Sequence, residues 1–325
     1  MARPKKIPNP IKVGPLKIRE LGEADRIFRV AFGTFLGIPD PSTFMGDRNL
    51  VASRVRGKHV KALAAREDRR LIGFSILTFW GSFAFVGPLC VLPEYWNKGV
   101  AQKLMQATVD IFDEMNLPRT ALFTFAQSAK HVGLYNKYGY WPQQLTAMFH
   151  YKPSTEKDLK PEPGTTVLHL SKRWHATLEE SINTCRKLTD RIDKGLDLTE
   201  EIRSILKQDI GEVILLYLRK TFEGFAIACT GRGSEGGREI CYIKFAAVRS
   251  GGGADARFDR LLNACEDFAL SRNVAVEFGV NFACQAAYRR ISARGLRPTS
   301  QGVAMQRPNI PGFNRPDAYV IADWR

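Results

Sequence analysis

The stretch from Pro88 to Tyr140, PLCVLPEYWNKGVAQKLMQATVDIFDEMNLPRTALFTFAQSAKHVGLYNKYGY, constrains the fold more than any other part of the chain. An apolar run ending at Val91 passes through Pro93 and the polar Asn97, Lys98 and Gly99 into a segment carrying Val100, Leu104, Val109, Ile111 and Phe112 at helical period. That order predicts strand, short loop and helix. The first amide N–H groups of such a helix have no partner within it, and glycine at its start lets a ligand come close to the backbone. The ligand suited to this junction is an anion.

A second strand is predicted over Thr120 to Ala126, and a short helix from Ser128 to Tyr138 sets Tyr135 four residues before Gly139 and the aromatic Tyr140. The whole stretch resembles the GNAT superfamily of acyl-CoA N-acyltransferases. Motif A of that family runs strand, (Gln/Arg)-x-x-Gly-x-(Gly/Ala), helix, and its next helix ends in Leu-Tyr-x-x-x-Gly-(Phe/Tyr). Gly99 and Ala101 fit the first pattern, Leu134, Tyr135, Gly139 and Tyr140 fit the second, and Val91-Leu92-Pro93-Glu94-Tyr95 is a common lead-in. Trp96 stands where Gln or Arg is expected, and Ser128 where Asn is frequent. Neither departure removes the backbone amides.

The resemblance implies an α/β fold, a mixed and mostly antiparallel sheet flanked by helices, and transfer of an acyl group, acetyl foremost, from acetyl-CoA to a small-molecule or peptide amine. It implies that Trp96, Asn97, Lys98, Gly99, Val100, Ala101, Gln102 and Lys103 surround the pyrophosphate, chiefly through backbone amides, and that Leu89, Cys90 and Val91 run along the pantetheine. Tyr135 would protonate the departing thiolate, which a phenol of pKa ~10 can do without prior ionisation. A backbone N–H of the strand from Leu89 to Val91 would hold the oxyanion. No carboxylate lies between Ser82 and Leu92 to relieve the amine of its proton, and Glu94 belongs to the phosphate end. The base is therefore unassigned, with His59 and Asp47 as candidates from titratable chemistry alone. Cys90 has neither histidine nor acid beside it in sequence and reads as a packing residue.

The same plan recurs in the second half. Before the motif come a short strand at Lys17 to Arg19, a helix from Gly22 to Phe35, and strands at His59 to Arg66 and Leu71 to Trp80; after it comes a strand at Leu145 to Tyr151. Helical spacing returns at Trp174, Leu178, Ile182, Cys185, Leu188 and Ile192, with another helix from Thr199, strands at Val213 to Leu218, Phe225 to Cys229 and Ile240 to Val248, and a helix from Asp255 to Arg272. A strand at Val274 to Val280 and a helix at Ala286 to Arg294 close the series. LMQATVDIFDEMN overlies LLNACEDFALSRN without a gap, so the repeat is a duplicated domain. The expected organisation is an arm at 1–14, a first GNAT-like domain at 15–152 with the active site, a Pro-rich linker at 153–166 and a second, degenerate domain at 167–325. Degeneracy follows from Ile291, which fills the place of Tyr135 four residues before Gly295, while Tyr288 lies most of a helical turn away.

Composition narrows the remaining choices. At 325 residues there is room for two domains, and no run of eighteen apolar residues predicts a membrane span. MARPKKIPNPIKVGP lacks the apolar core of a signal peptide. Six scattered cysteines without a Cys-x-x-Cys pair suggest reduced thiols in a cytoplasmic protein and no metal site. The net charge of +15 is concentrated in residues 1–160, where 24 Lys and Arg face 13 Asp and Glu. Such an excess suits a polyanionic ligand such as CoA, and it leaves nucleic acid as a less favoured partner. Arg48, Arg54, Arg56, Lys58 and Lys61 form either a basic lip to the acceptor site or a solvated basic loop. Gly231 to Gly236 satisfies G-x-G-x-x-G but precedes a strand, so it is expected to be a hairpin loop. An alternative of another class is a non-catalytic protein that keeps the scaffold to bind CoA or nucleic acid.

Overall fold

Strand and helix periods along the chain fold into two copies of one plan, joined through a single sheet. The computed structural model describes residues 10–154, 162–172 and 175–325; the expected arm before residue 10, linker residues 155–161 and Trp174 lie outside the described residues. The first unit runs β1 (Ile11–Pro15), α1 (Leu21–Phe35), α2 (Leu50–Val55), β2 (Val60–Glu67), β3 (Arg70–Trp80), β4 (Phe83–Val91), α3 (Val100–Glu114), β5 (Arg119–Thr124), α4 (Ala129–Asn136) and β6 (Trp141–Tyr151). The second runs β7 (Thr165–His169), α5 (His175–Ile192), α6 (Thr199–Gln208), β8 (Gly211–Leu218), β9 (Thr221–Gly231), β10 (Gly237–Val248), α7 (Ala254–Leu270), β11 (Ala275–Asn281), α8 (Gln285–Ala293), β12 (Ser300–Arg307) and β13 (Val320–Ile321).

Sheet order is β1-β2-β3-β4-β5-β12-β6-β11-β10-β9-β8-β7, with β13 beside β10. Five strands of each unit flank a central pair, and in that pair the units have exchanged their last strands. β6 leaves its own unit to pair with β11, from Thr146↔Asn281 to Tyr151↔Val276, while β12 pairs with β5, from Val303↔Thr124 to Arg307↔Thr120. Gly302 permits the second exchange, because a Cβ there would stand 2.4 Å from the Phe123 ring. Neither unit can complete its sheet alone. If the chain is expressed as two polypeptides divided within 155–161, they are therefore expected to co-purify, and each expressed singly to be insoluble or molten. Two independently folded, separable halves in gel filtration would contradict this.

Two expectations need correction. Lys17 to Arg19 is not a strand: Ile18–Glu20 is a 3-10 turn, because the Glu20 carboxylate accepts the Lys17 N–H at 2.7 Å and pairs with Arg66 at 2.5 Å, turning the chain into α1. The opening strand is instead β1, whose Ile11 to Pro15 pair with Glu67 to Leu63. The basic run is not one surface either. Arg56, Lys58 and Lys61 are exposed, but Arg48 and Arg54 turn inward against the second unit.

That inward turn builds a buried ion network between the units. Arg54 donates to the Gly87 carbonyl at 3.0 Å and pairs with Glu235 at 2.5 Å, both side chains nearly inaccessible. Glu235 comes from the loop Gly231 to Gly236, a hairpin loop as expected, but folded inward. Lys244 on β10 bridges Glu235 at 2.7 Å and Glu201 at 2.9 Å, and Glu201 meets the His59 ring at 3.0 Å and the Trp80 indole N–H at 3.1 Å. Arg48 donates to the Glu235 carbonyl at 2.6 Å and pairs with Glu277, which Arg325 also pairs at 2.6 Å. Aromatic packing surrounds the charges, with Trp80 edge-on to Phe85 and Phe245 and Trp324 against Phe83. Low dielectric strengthens each pair and makes each one costly to break.

Candidate active site

β4 and β5 pair as parallel neighbours only from Phe83↔Arg119 to Val86↔Leu122. Beyond Val86, and after a register shift, β4 stays on β3 as far as Gly73↔Val91, while β12 holds the rest of β5. A wedge opens between them. The Leu92 N–H bonds the Ile72 carbonyl at 2.9 Å, so strand alternation turns the Cys90 backbone toward β3 as well. The backbone groups of Leu89 and Val91 consequently face the wedge. Cys90 contributes its thiol, which is buried and pushed well up by that burial, as befits a packing residue.

At the mouth of the wedge, Asn97 and Gly99 adopt left-handed backbone at φ 62° and 78°. Glycine does so without strain and asparagine at low cost. Gly99 caps α3 without any side-chain cap, and the first amide turned back is Lys103 N–H to Gly99 at 3.1 Å. The N–H groups of Val100, Ala101 and Gln102 are the open donors of the helix end. Asn97, Lys98, Gln102 and Lys103 are exposed around them. Trp96 departs from the family pattern with a role of its own: its indole N–H donates to the Val91 carbonyl at 2.7 Å, and the Lys130 ammonium stands 5.7 Å from its ring. It props the end of β4 and takes up one acceptor of the wedge.

α4 lies across the far side, its first turn capped by the Ser128 hydroxyl. Tyr135 is buried on this helix; burial first, then the neighbouring Cys90 and Tyr140, hold its phenol above the ordinary value. The proton stays on at neutral pH, and the hydroxyl makes no hydrogen bond among the described residues. Tyr138 ties α4 to α3 by donating to the Gln102 carbonyl at 2.7 Å. The structure thus brings Leu89, Val91, the Gly99 loop and Tyr135 around one wedge. His59 and Asp47 are committed elsewhere, His59 to Glu201 and Asp47 to the Arg238 N–H at 3.2 Å. His131 lies one helical turn before Tyr135 on α4, and that spacing is the one sequence signal it carries.

The corresponding place in the second unit is built differently. β10 and β11 pair only from Ile240↔Ala275 to Tyr242↔Glu277, and α7 also begins after a left-handed glycine, Gly253 at φ 77°. Here β13 lies in the gap, Ala246↔Ile321 and Ala247↔Val320. The buried Trp324 and the Asp323 contact with the Tyr242 hydroxyl at 2.8 Å fix the rest of that segment. Ile291 is fully buried, and the Tyr288 ring packs on Phe149 and Phe282.

The acetyltransferase (GNAT) family model matches residues 29–140. Among solved structures, an acetyltransferase candidate from Pyrococcus horikoshii is 14% identical at a TM-score of 0.65, covering 97% of this chain and 95% of its own. A tandem GNAT protein from the clavulanic acid biosynthesis pathway is 13% identical at 0.59, covering 93% and 100%. A GCN5-related N-acetyltransferase from Sphaerobacter thermophilus is 14% identical at 0.57, covering 94% and 98%. At such identities the likeness is one of fold. No curated protein matches the chain in sequence. Among the described residues no helix is long and apolar enough to cross a membrane.

Proposed function

We propose, from the match of residues 29–140 to the GNAT acetyltransferase family model and from the fold shared with a tandem GNAT protein, that the first unit transfers an acetyl group from acetyl-CoA to an amine. The observation that carries the reading is the wedge beyond Val86, with an uncapped helix end at its mouth and Tyr135 at its far side. The N–H groups of Val100, Ala101 and Gln102 would receive the pyrophosphate, with Asn97, Lys98 and Lys103 at its rim. Leu89 and Val91 would pair with the pantetheine amides, and a wedge-facing N–H of the two would hold the oxyanion as the amine adds to the thioester carbon. Tyr135 would then give its proton to the departing sulfur. The second unit would complete the sheet and wall the acceptor side, since β13 fills its own gap.

Calorimetry tests the cofactor half of this reading. Gly99→Val places a β-branched residue at φ 78°, a strain of about 1–3 kcal/mol, and sets a side chain where the anion must approach the backbone. Acetyl-CoA affinity is expected to fall at least tenfold in Gly99→Val and much less in Gly99→Asn, which tolerates the left-handed backbone. Equal affinity in wild type and Gly99→Val would refute the assignment of this loop.

A further inference from the structure

This inference rests on the acetyl-transfer reading and supplies the base that reading lacks. We propose that His131 takes the proton of the attacking amine, in a niche walled by Phe35 and Phe125, and that the acceptor is a primary amine carried on a flat apolar arm. His131 and Tyr135 stand four apart on α4 and so share one face of it. The His131 Nδ1 lies 2.6 Å from the Ser128 hydroxyl, which orients the ring, and Nε2 makes no hydrogen bond among the described residues. The ring meets Phe35 edge-on at 4.8 Å and Phe125 at 6.0 Å, while Phe35 and Phe125 lie 4.7 Å apart. All three are half-buried, so each ring keeps part of its surface open to solvent.

The groups facing His131 agree with a neutral ring. α1 presents Phe35, the segment after β5 presents Phe125, and α4 itself carries Ser128, Lys130 and Tyr135; no carboxylate pairs with the ring among the described residues. Burial, and after it the charge of Lys130, set the imidazole below its ordinary 6.5. In the tautomer whose Nδ1–H donates to Ser128, the neutral ring carries its lone pair on Nε2, and proton transfer from the amine requires that tautomer. The neutral amine nitrogen bonds the thioester carbon, His131 Nε2 takes one N–H proton, the carbon–sulfur bond breaks, and Tyr135 protonates the sulfur. Amide and free thiol result, and the proton on His131 returns to Tyr135 through solvent. The aromatic walls have no charge to bind a polar arm, whereas stacking suits a flat apolar one.

The test uses the full chain, acetyl-CoA and 2-phenylethylamine as the probe acceptor, with melting temperature recorded for each variant. For the wild type, log kcat/KM against pH is expected to fall in two steps, one at the amine's own ionisation near pH ~10 and one below pH 6.5 as His131 is protonated. His131→Gln should lose the lower step and about 10²-fold in kcat at unchanged acetyl-CoA affinity, and added imidazole should restore part of the rate in His131→Ala. A wild type that binds acetyl-CoA but leaves 2-phenylethylamine untouched would overturn the proposal. So would a His131→Gln variant with full rate and an intact lower step. Failure of the wild type to bind acetyl-CoA would remove the underlying reading as well, which separates the two failures.

Discussion

Removal of the Tyr135 hydroxyl alone, in Tyr135→Phe, is expected to lower kcat by about 10²-fold or more while acetyl-CoA affinity stays unchanged. The ring that packs in the first core remains, so the fold keeps its contacts. Only the hydroxyl proposed to protonate the departing sulfur is lost. A phenol raised by burial and by Cys90 is a weak acid, and it keeps its proton at neutral pH, as a donor to thiolate must. Tyr288→Phe serves as the control, because its ring is packed on Phe149 and Phe282 and the gap of its own unit is filled by β13. Steady-state kinetics with calorimetry on both variants decides the matter. Full turnover in Tyr135→Phe with loss in Tyr288→Phe would move the chemistry to the second unit.

The largest effect on stability is expected at Glu235. Glu235→Gln keeps the volume but leaves Arg54 and Lys244 buried without their shared carboxylate, and breaking such a pair typically costs about 3–5 kcal/mol. Urea unfolding should shift accordingly, and the double variant Arg54→Met/Glu235→Leu should regain much of the loss, because it removes the uncompensated charge along with the pair. Burial alone would raise the Glu235 carboxyl, yet Arg54 and Lys244 bring it down to about 2; Arg325 and Arg48 likewise bring Glu277 to about 2. A carboxyl depressed in the folded state contributes stability that is complete above its unfolded value of 4.5 and fades as pH falls toward 2. The wild type should therefore hold a plateau above about pH 5 and lose stability steeply below it, with a shallower acid limb in the double variant. A single Glu235→Gln variant as stable as wild type would dismiss the network as a determinant of how the units join.

Much of this architecture was legible because local signals and tertiary contacts agree. Val100, Leu104, Val109 and Phe112 keep a helical period, and α3 buries that same stripe. The lone register of Leu134, Tyr135 and Gly139 placed Tyr135 on the wedge-facing helix. What stayed hidden depends on partners far away in the chain. Ser300 to Arg307 has too little alternation to announce a strand, and it becomes β12 because β5 and β6 both offer it an edge. Arg54 reads as one more cation in a basic run until Glu235, 181 residues later, arrives beside it. His131 carries no sequence signal except its distance from Tyr135, since the rings that wall it come from α1 and from the segment after β5. The filling of the second gap by β13 is likewise set by a two-residue strand that no periodicity could reveal.

Titration of the intact chain with acetyl-CoA, followed by amide hydrogen exchange on the saturated complex, tests the division of labour between the units most directly. The expected result is one equivalent bound, with exchange slowed at Leu89, Val91 and Val100 to Lys103 and unchanged at Ala254 to Arg257. Two equivalents, or protection confined to the start of α7, would contradict it.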